Sequence, residues 1–115
     1  MLIRTADIPK LKALIVPAKT TAQTGATLTL TLDSQNRYYR CTVACVVTVP
    51  VIAAMEIDAE IHFRQVGAGA LTITAGSGVT INGISGFSNG TDLLGSTLTL
   101  KKVGAAEYDL IGLVG

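Results

Sequence analysis

The chain has one histidine, His62, and two cysteines, Cys41 and Cys45. Histidine is the side chain that ordinarily titrates nearest neutrality, so acid–base or nucleophilic chemistry is sought there first. His62 falls at the polar phase of an alternating segment and reads as an exposed strand histidine. It does not read as part of a Ser-His-Asp or Cys-His centre. A tetrahedral zinc site takes about four ligands, and one His with two Cys falls short. On one extended strand, Cys41 and Cys45 would stand about 13 Å apart, too far for a disulfide. Across a hairpin closed by residues 42–44 they would face each other. A pair of buried reduced thiols is the expectation. Glu56, Asp58 and Glu60 would share one face of an extended chain and could bind a cation, but such a cluster is ordinarily a solvated face. Asp33-Ser34-Gln35-Asn36 lacks the length and the closing Glu of a calcium loop. Gly67-Ala68-Gly69 and Gly76-Ser77-Gly78 lack the third glycine and the following helix of a phosphate loop. Asn89-Gly90-Thr91 spells a glycosylation sequon and is read as chance. No metal, cofactor or catalytic residue is expected.

The elements that would position these residues are strands. The 115 residues hold 15 Thr, 10 Val and 10 Ile, with 12 Gly and five aromatics. β-Branched side chains suit a pleated surface and lose rotamer freedom in a helix. Leu28, Leu30 and Leu32 alternate with Thr27, Thr29 and Thr31, the period of a strand with one buried face. Residues 37–41 and 45–49 read as two strands around a brief turn, the second closed by Pro50. Residues 51–58 read as a loop or one helical turn. Ile61 and Phe63, with Gln65 as a further member, oppose His62, Arg64 and Val66. Leu71–Thr74 and Val79–Ile81 follow, split by a glycine turn; this echo is too short for a solenoid. Residues 82–95 are loop-rich. Leu98, Leu100 and Val103 alternate with Thr97, Thr99 and Lys101, with one slip near Lys102. Gly104–Glu107 reads as a hairpin turn before a final strand over Tyr108–Leu113. The expected fold is all-β: a single small β-sandwich or barrel of about eight short strands, residues 20–115, behind an N-terminal arm, residues 1–19. Residues 20–25 read as a polar linker.

Charge divides along the same boundary. Residues 1–19 carry Arg4, Lys10, Lys12 and Lys19 against Asp7, a balance of +3; residues 20–115 carry five basic and seven acidic groups, a balance of −2. The net charge of +1 excludes a strongly basic nucleic-acid binder. Charged residues make up 15%, against about 25% in an ordinary globular domain. Residues 65–91 carry no charge, but they are crowded with Gly, Thr, Ser and Asn and read as uncharged β structure, not a membrane span. No export signal is read, and synthesis in the cytoplasm is expected. Such half-apolar faces on a small body need covering, and self-association as a closed ring or trimer is the natural means. In the arm, Ile8, Leu11, Leu14 and Ile15 fall on one face of a short helix ended by Pro17. Either a partner-docking arm or a strap over the chain's own core fits that pattern.

From Thr27 to Gly112 the chain resembles a small β domain of tailed-bacteriophage virion proteins. The resemblance rests on a set of pieces in order. These are Leu30-Thr31-Leu32-Asp33, Asn36-Arg37, Arg40-Cys41-Thr42 and Val47–Pro50. There follow the Ile-x-Phe-x-Gln-x-Gly-Ala-Gly of Ile61–Gly69, Thr72–Ala75, Gly78–Asn82, and a Leu-x-Lys ending that runs from Leu100 to Gly112. Tyr108 stands where the family usually has Trp. The resemblance implies a non-enzymatic homotrimeric virion component, with turn and core residues as its motif. It carries over no catalytic residue. A short chain with an arm and one β domain then suits a capsid decoration (cement) protein, bound to the major capsid protein on the virion surface. The arm would make the contact through Arg4, Ile8, Lys10, Leu11, Lys12, Leu14 and Ile15. The alternative is a tail- or head-fibre tip that binds a receptor or carbohydrate, with Tyr38, Tyr39, Phe87 and Asn89 as contacts. Neither role calls for a cofactor, nucleic acid or membrane.

Overall fold

The computed structural model describes residues 18–91 and 93–112. Nine short strands form two sheets: β1 (Lys19–Gln23), β2 (Thr27–Thr29), β3 (Arg37–Cys41), β4 (Cys45–Val49), β5 (Glu60–Gln65), β6 (Leu71–Ala75), β7 (Thr80–Asn82), β8 (Thr97–Gly104) and β9 (Glu107–Gly112). The expected all-β class holds. One sheet has six strands in the order β1-β3-β5-β8-β9-β7, and the other has three in the order β2-β4-β6.

The order of visits is the informative part. From β1 to β6 the chain alternates between the two sheets, and each strand pairs in parallel with the one two places on. Lys19 pairs with Arg37, Tyr38 with His62, Thr27 with Val46 and Cys45 with Leu71. The chain is therefore wound in stacked two-strand coils, closed by the antiparallel β8–β9 hairpin. The echo of Leu71–Thr74 in Val79–Ile81 is not the coil: β6 and β7 lie in different sheets. Successive coils differ in length, which hides the winding from a search for a fixed period.

β3 and β4 are accordingly not a hairpin. Residues 42–44 are a corner that carries the chain from one sheet to the other. Corners stack as the strands do. A Cβ on Gly67 would lie 1.9 Å from the Thr42 carbonyl oxygen, and one on Gly69 would lie 2.1 Å from the Ala44 amide nitrogen. Only glycine lets the 66–69 corner rest on the 42–44 corner beneath it.

Between the sheets lies the core, built from the inward phase of each strand: Tyr39, Cys41, Cys45, Val47, Val49, Ile61, Phe63, Leu71, Ile73, Leu98, Leu100, Tyr108 and Leu110, with Leu30 and Met55 from the connections. Tyr39, Phe63 and Leu98 form one row by register. The Tyr39 and Phe63 rings stack with centroids 5.6 Å apart. Burying each such side chain contributes about 1.5–3 kcal/mol. The Tyr39 hydroxyl donates to Ser34 Oγ, which also accepts from the Thr31 amide and so pins the 3₁₀ turn over Leu32–Ser34.

Three expectations change. Residues 20–23, expected as linker, and Lys19, expected as the end of the arm, form edge strand β1, whose polar side chains suit a strand with one open side. Leu32 leaves the alternation of Leu28 and Leu30, because the 3₁₀ turn rotates it outward, 41% exposed. Lys102, not Val103, holds the inward phase of β8, and Val103 is exposed. Lys102 is buried, and its ammonium donates to the carbonyls of Ile52 (2.8 Å) and Met55 (2.7 Å). Hydrogen bonds replace the water that a buried ammonium would otherwise lose. The same bonds tie the 51–58 connection to the hairpin.

Candidate functional site

Arg4, Ile8, Lys10, Leu11, Lys12, Leu14 and Ile15 lie outside the described residues. Of the other four candidates, Tyr39 is removed from any contact surface, because it is buried in the core. Its neighbour Tyr38 is half-buried and points outward from β3, as strand alternation requires. Phe87, 58% exposed, and Asn89 lie in the 83–91 loop. That loop covers the free edge of β6: the Ile73 amide donates to the Asn89 carbonyl, and the Thr91 amide donates to the Leu71 carbonyl. Tyr38 thus belongs to the six-stranded sheet, and Phe87 and Asn89 to the edge of the other.

The same loop contains Gly86-Phe87-Ser88-Asn89-Gly90, the spacing of a nucleophile elbow, which sequence inspection passed over. The structural context differs from an elbow. The loop joins β7 to β8 and opens no helix. His62 is in β5, where its Nδ1 pairs with Thr99 Oγ1 at 2.9 Å and its Nε2 lies 3.6 Å from Glu60. Glu56, Asp58 and Glu60 do not form one face: 56–58 is a turn, and Asp58 and Glu60 both approach Lys101. Among the described residues, no three His, Cys, Asp or Glu side chains gather as metal ligands. Cys41 and Cys45 are buried free thiols. Burial, and secondarily the neighbouring Cys45, pushes the Cys41 thiol up to about 12; burial also raises Cys45.

What does assemble is two outward faces of opposite character. On the three-stranded sheet, Thr27, Val46 and Thr72 form one row by register, and Thr29, Thr48 and Thr74 the next. That face has no charge. On the six-stranded sheet, the outward row of Glu60, Lys101 and Asp109 carries mixed charge. At the other end of β5, Arg64 lies directly beside Arg40 in the parallel β3–β5 register. Both arginines are exposed, and no carboxylate lies within ion-pair distance of either among the described residues. They line an open cleft of about 400 Å³ with Gln65, Val66, Leu94 and Gly95. The floor is fixed: the Gly95 amide donates to the Gln65 carbonyl and the Gln65 amide to the Ser96 carbonyl. The Gln65 side chain is buried, donating to the Gly67 carbonyl and accepting from the Thr91 hydroxyl. Sequence reading had Arg64 only as a strand member and Arg40 as a strand member and part of the Arg40-Cys41-Thr42 resemblance, and never paired the two. Nothing in a single sequence pairs residues 24 apart in an irregular coil.

Compared with protein-family models, with curated proteins and with solved structures, the chain finds no match.

Proposed function

We propose that this chain is a non-enzymatic structural protein of a tailed-bacteriophage virion, a capsid decoration protein that sits on the shell as a homotrimer. One observation carries the reading: many of the residues through which the chain resembles that family hold its fold, while others, Leu32, Asp33, Asn36, Arg40 and Thr42, are exposed. Gly67 and Gly69 stack one corner on another, and Cys41, Val47, Val49, Ile61 and Phe63 fill the core. Gln65 bridges the Gly67 carbonyl and Thr91, Lys102 ties down residues 52–55, and Tyr108 fills the core where the family has Trp. Corner and core residues of this kind build a scaffold, whereas a catalytic motif would be spent on groups that face a substrate.

The uncharged Thr/Val face supports self-association. Covering it removes no ionised group from water, whereas covering a charge without a partner is costly. The residues before β1, 1–18, with a balance of +2 (Arg4, Lys10 and Lys12 against Asp7) and aliphatic anchors, are the proposed contact with the major capsid protein. In the alternative reading, a receptor-binding fibre tip, Tyr38, Phe87 and Asn89 remain as contacts and Tyr39 does not. Quantifying the proteins of intact virions separates the two. Many copies per capsid support decoration, a few per tail support the fibre tip, and absence from the particle overturns both.

A further inference from the structure

We infer that Arg40 and Arg64 form a binding site for a carboxylate carried on an apolar body. This stands apart from the virion reading. Two guanidinium groups on the same face of neighbouring strands, in register, repel each other. The other lysine or arginine that the same face turns out, Lys101, approaches Asp58 and Glu60. Arg40 and Arg64 have no such partner among the described residues. An oxyanion between them relieves the repulsion and accepts hydrogen bonds from both planar donor sets, the geometry in which arginine exceeds lysine.

The cleft walls specify what lies behind the charge. Val66 and Leu94 are apolar, and Leu94 is 68% exposed. Gly95 passes beside the Arg64 guanidinium: a Cβ there would lie 3.7 Å from an Arg64 terminal nitrogen, and its φ of +88° suits glycine. The loop thus lies within ordinary contact distance of the arginine, and the positive φ is what favours glycine there. Gln65 is already satisfied by Gly67 and Thr91, so the polar capacity of the cleft resides in the two arginines. A small dianion such as phosphate would use the charge and leave Leu94 in water. A carboxylate with an apolar body uses both.

The test is amide NMR titration of the full-length protein with benzoate, acetate and inorganic phosphate, at ionic strength held constant with chloride. Benzoate is expected to give saturable shifts centred on Arg40, Arg64, Val66, Leu94 and Gly95. It should bind more tightly than acetate or phosphate. Arg40→Gln and Arg64→Gln should each weaken it about tenfold, the loss of one charge-assisted hydrogen bond. Arg64→Lys should recover only part of that loss. Lys101→Gln, at the far end of the same face, should leave the affinity unchanged. Phosphate binding more tightly than benzoate overturns the ligand class. The absence of saturable shifts, or their survival in the double arginine variant, overturns the site. Asp92→Asn should change nothing; a tenfold gain would mean that the chain neutralises the pair with its own carboxylate, and that also overturns the proposal.

Discussion

The two sheets are alike on the inside and unlike on the outside. Both present aliphatic and aromatic side chains to one core. The three-stranded sheet turns out five threonines and Val46. The six-stranded sheet turns out Arg40, Arg64, His62, Glu60, Lys101 and Asp109. Strand alternation explains the inside and says nothing about the outside, since any residue that tolerates water satisfies it. Under the proposed reading the difference reflects what each face meets. A hydroxyl-and-methyl surface is cheap to cover with another protein surface, whereas a charged surface stays in water or meets opposite charge.

The largest change would come from breaking the frame that both faces share. Gly67→Ala puts a methyl group against the Thr42 carbonyl at a distance no relaxed structure allows. A loss of about 3 kcal/mol or more is expected, read by denaturant unfolding, with both faces lost in one transition. Lys102→Met comes next. It keeps most of the apolar stem but strips the Ile52 and Met55 carbonyls of their donor, at about 2–3 kcal/mol.

Alkaline pH gives a smaller, graded effect. Both thiols have folded-state pKa values raised by burial, Cys41 to about 12 from 9.0. The unfolded chain therefore releases these protons at lower pH than the folded one. Stability holds below pH 9 and falls as pH rises above it, by up to about 1.4 kcal/mol per pH unit for each thiol, with the Cys41 contribution running on toward pH 12. Cys41→Ala should flatten that slope in unfolding measured between pH 8 and pH 11.

The smallest effect on stability sharpens the contrast between the faces most. Val46 and Ile111 are both half-exposed aliphatics on outward faces, one on each sheet. Replacing either by Lys should move stability by no more than about 0.5 kcal/mol. Val46→Lys should abolish self-association in sedimentation, and Ile111→Lys should leave it intact.

How much of this was legible beforehand follows from which interactions are local. The alternation of Ile61, Phe63 and Gln65 and the β8–β9 hairpin were visible because period and turn chemistry lie within a few residues. β1 was not, because Lys-Thr-Thr-Ala-Gln has no apolar phase and becomes a strand only by pairing with β3. The inward Lys102 showed only as a slip in the pattern, since the carbonyls that accept its ammonium are about 50 residues away in sequence. Leu32 was expected inward because local alternation cannot register the 3₁₀ turn. The Arg40–Arg64 pair depends on parallel coils of unequal length.

Co-sedimentation with undecorated capsids tests the central claim most directly, comparing the full chain with a variant lacking residues 1–16. That deletion leaves β1 and everything after it in place. The account predicts that the shortened protein still folds and trimerises but no longer pellets with capsids, while the full chain does. If the shortened protein decorates capsids as well as the full chain does, the attachment surface lies on the β domain, and the role given to the arm is wrong.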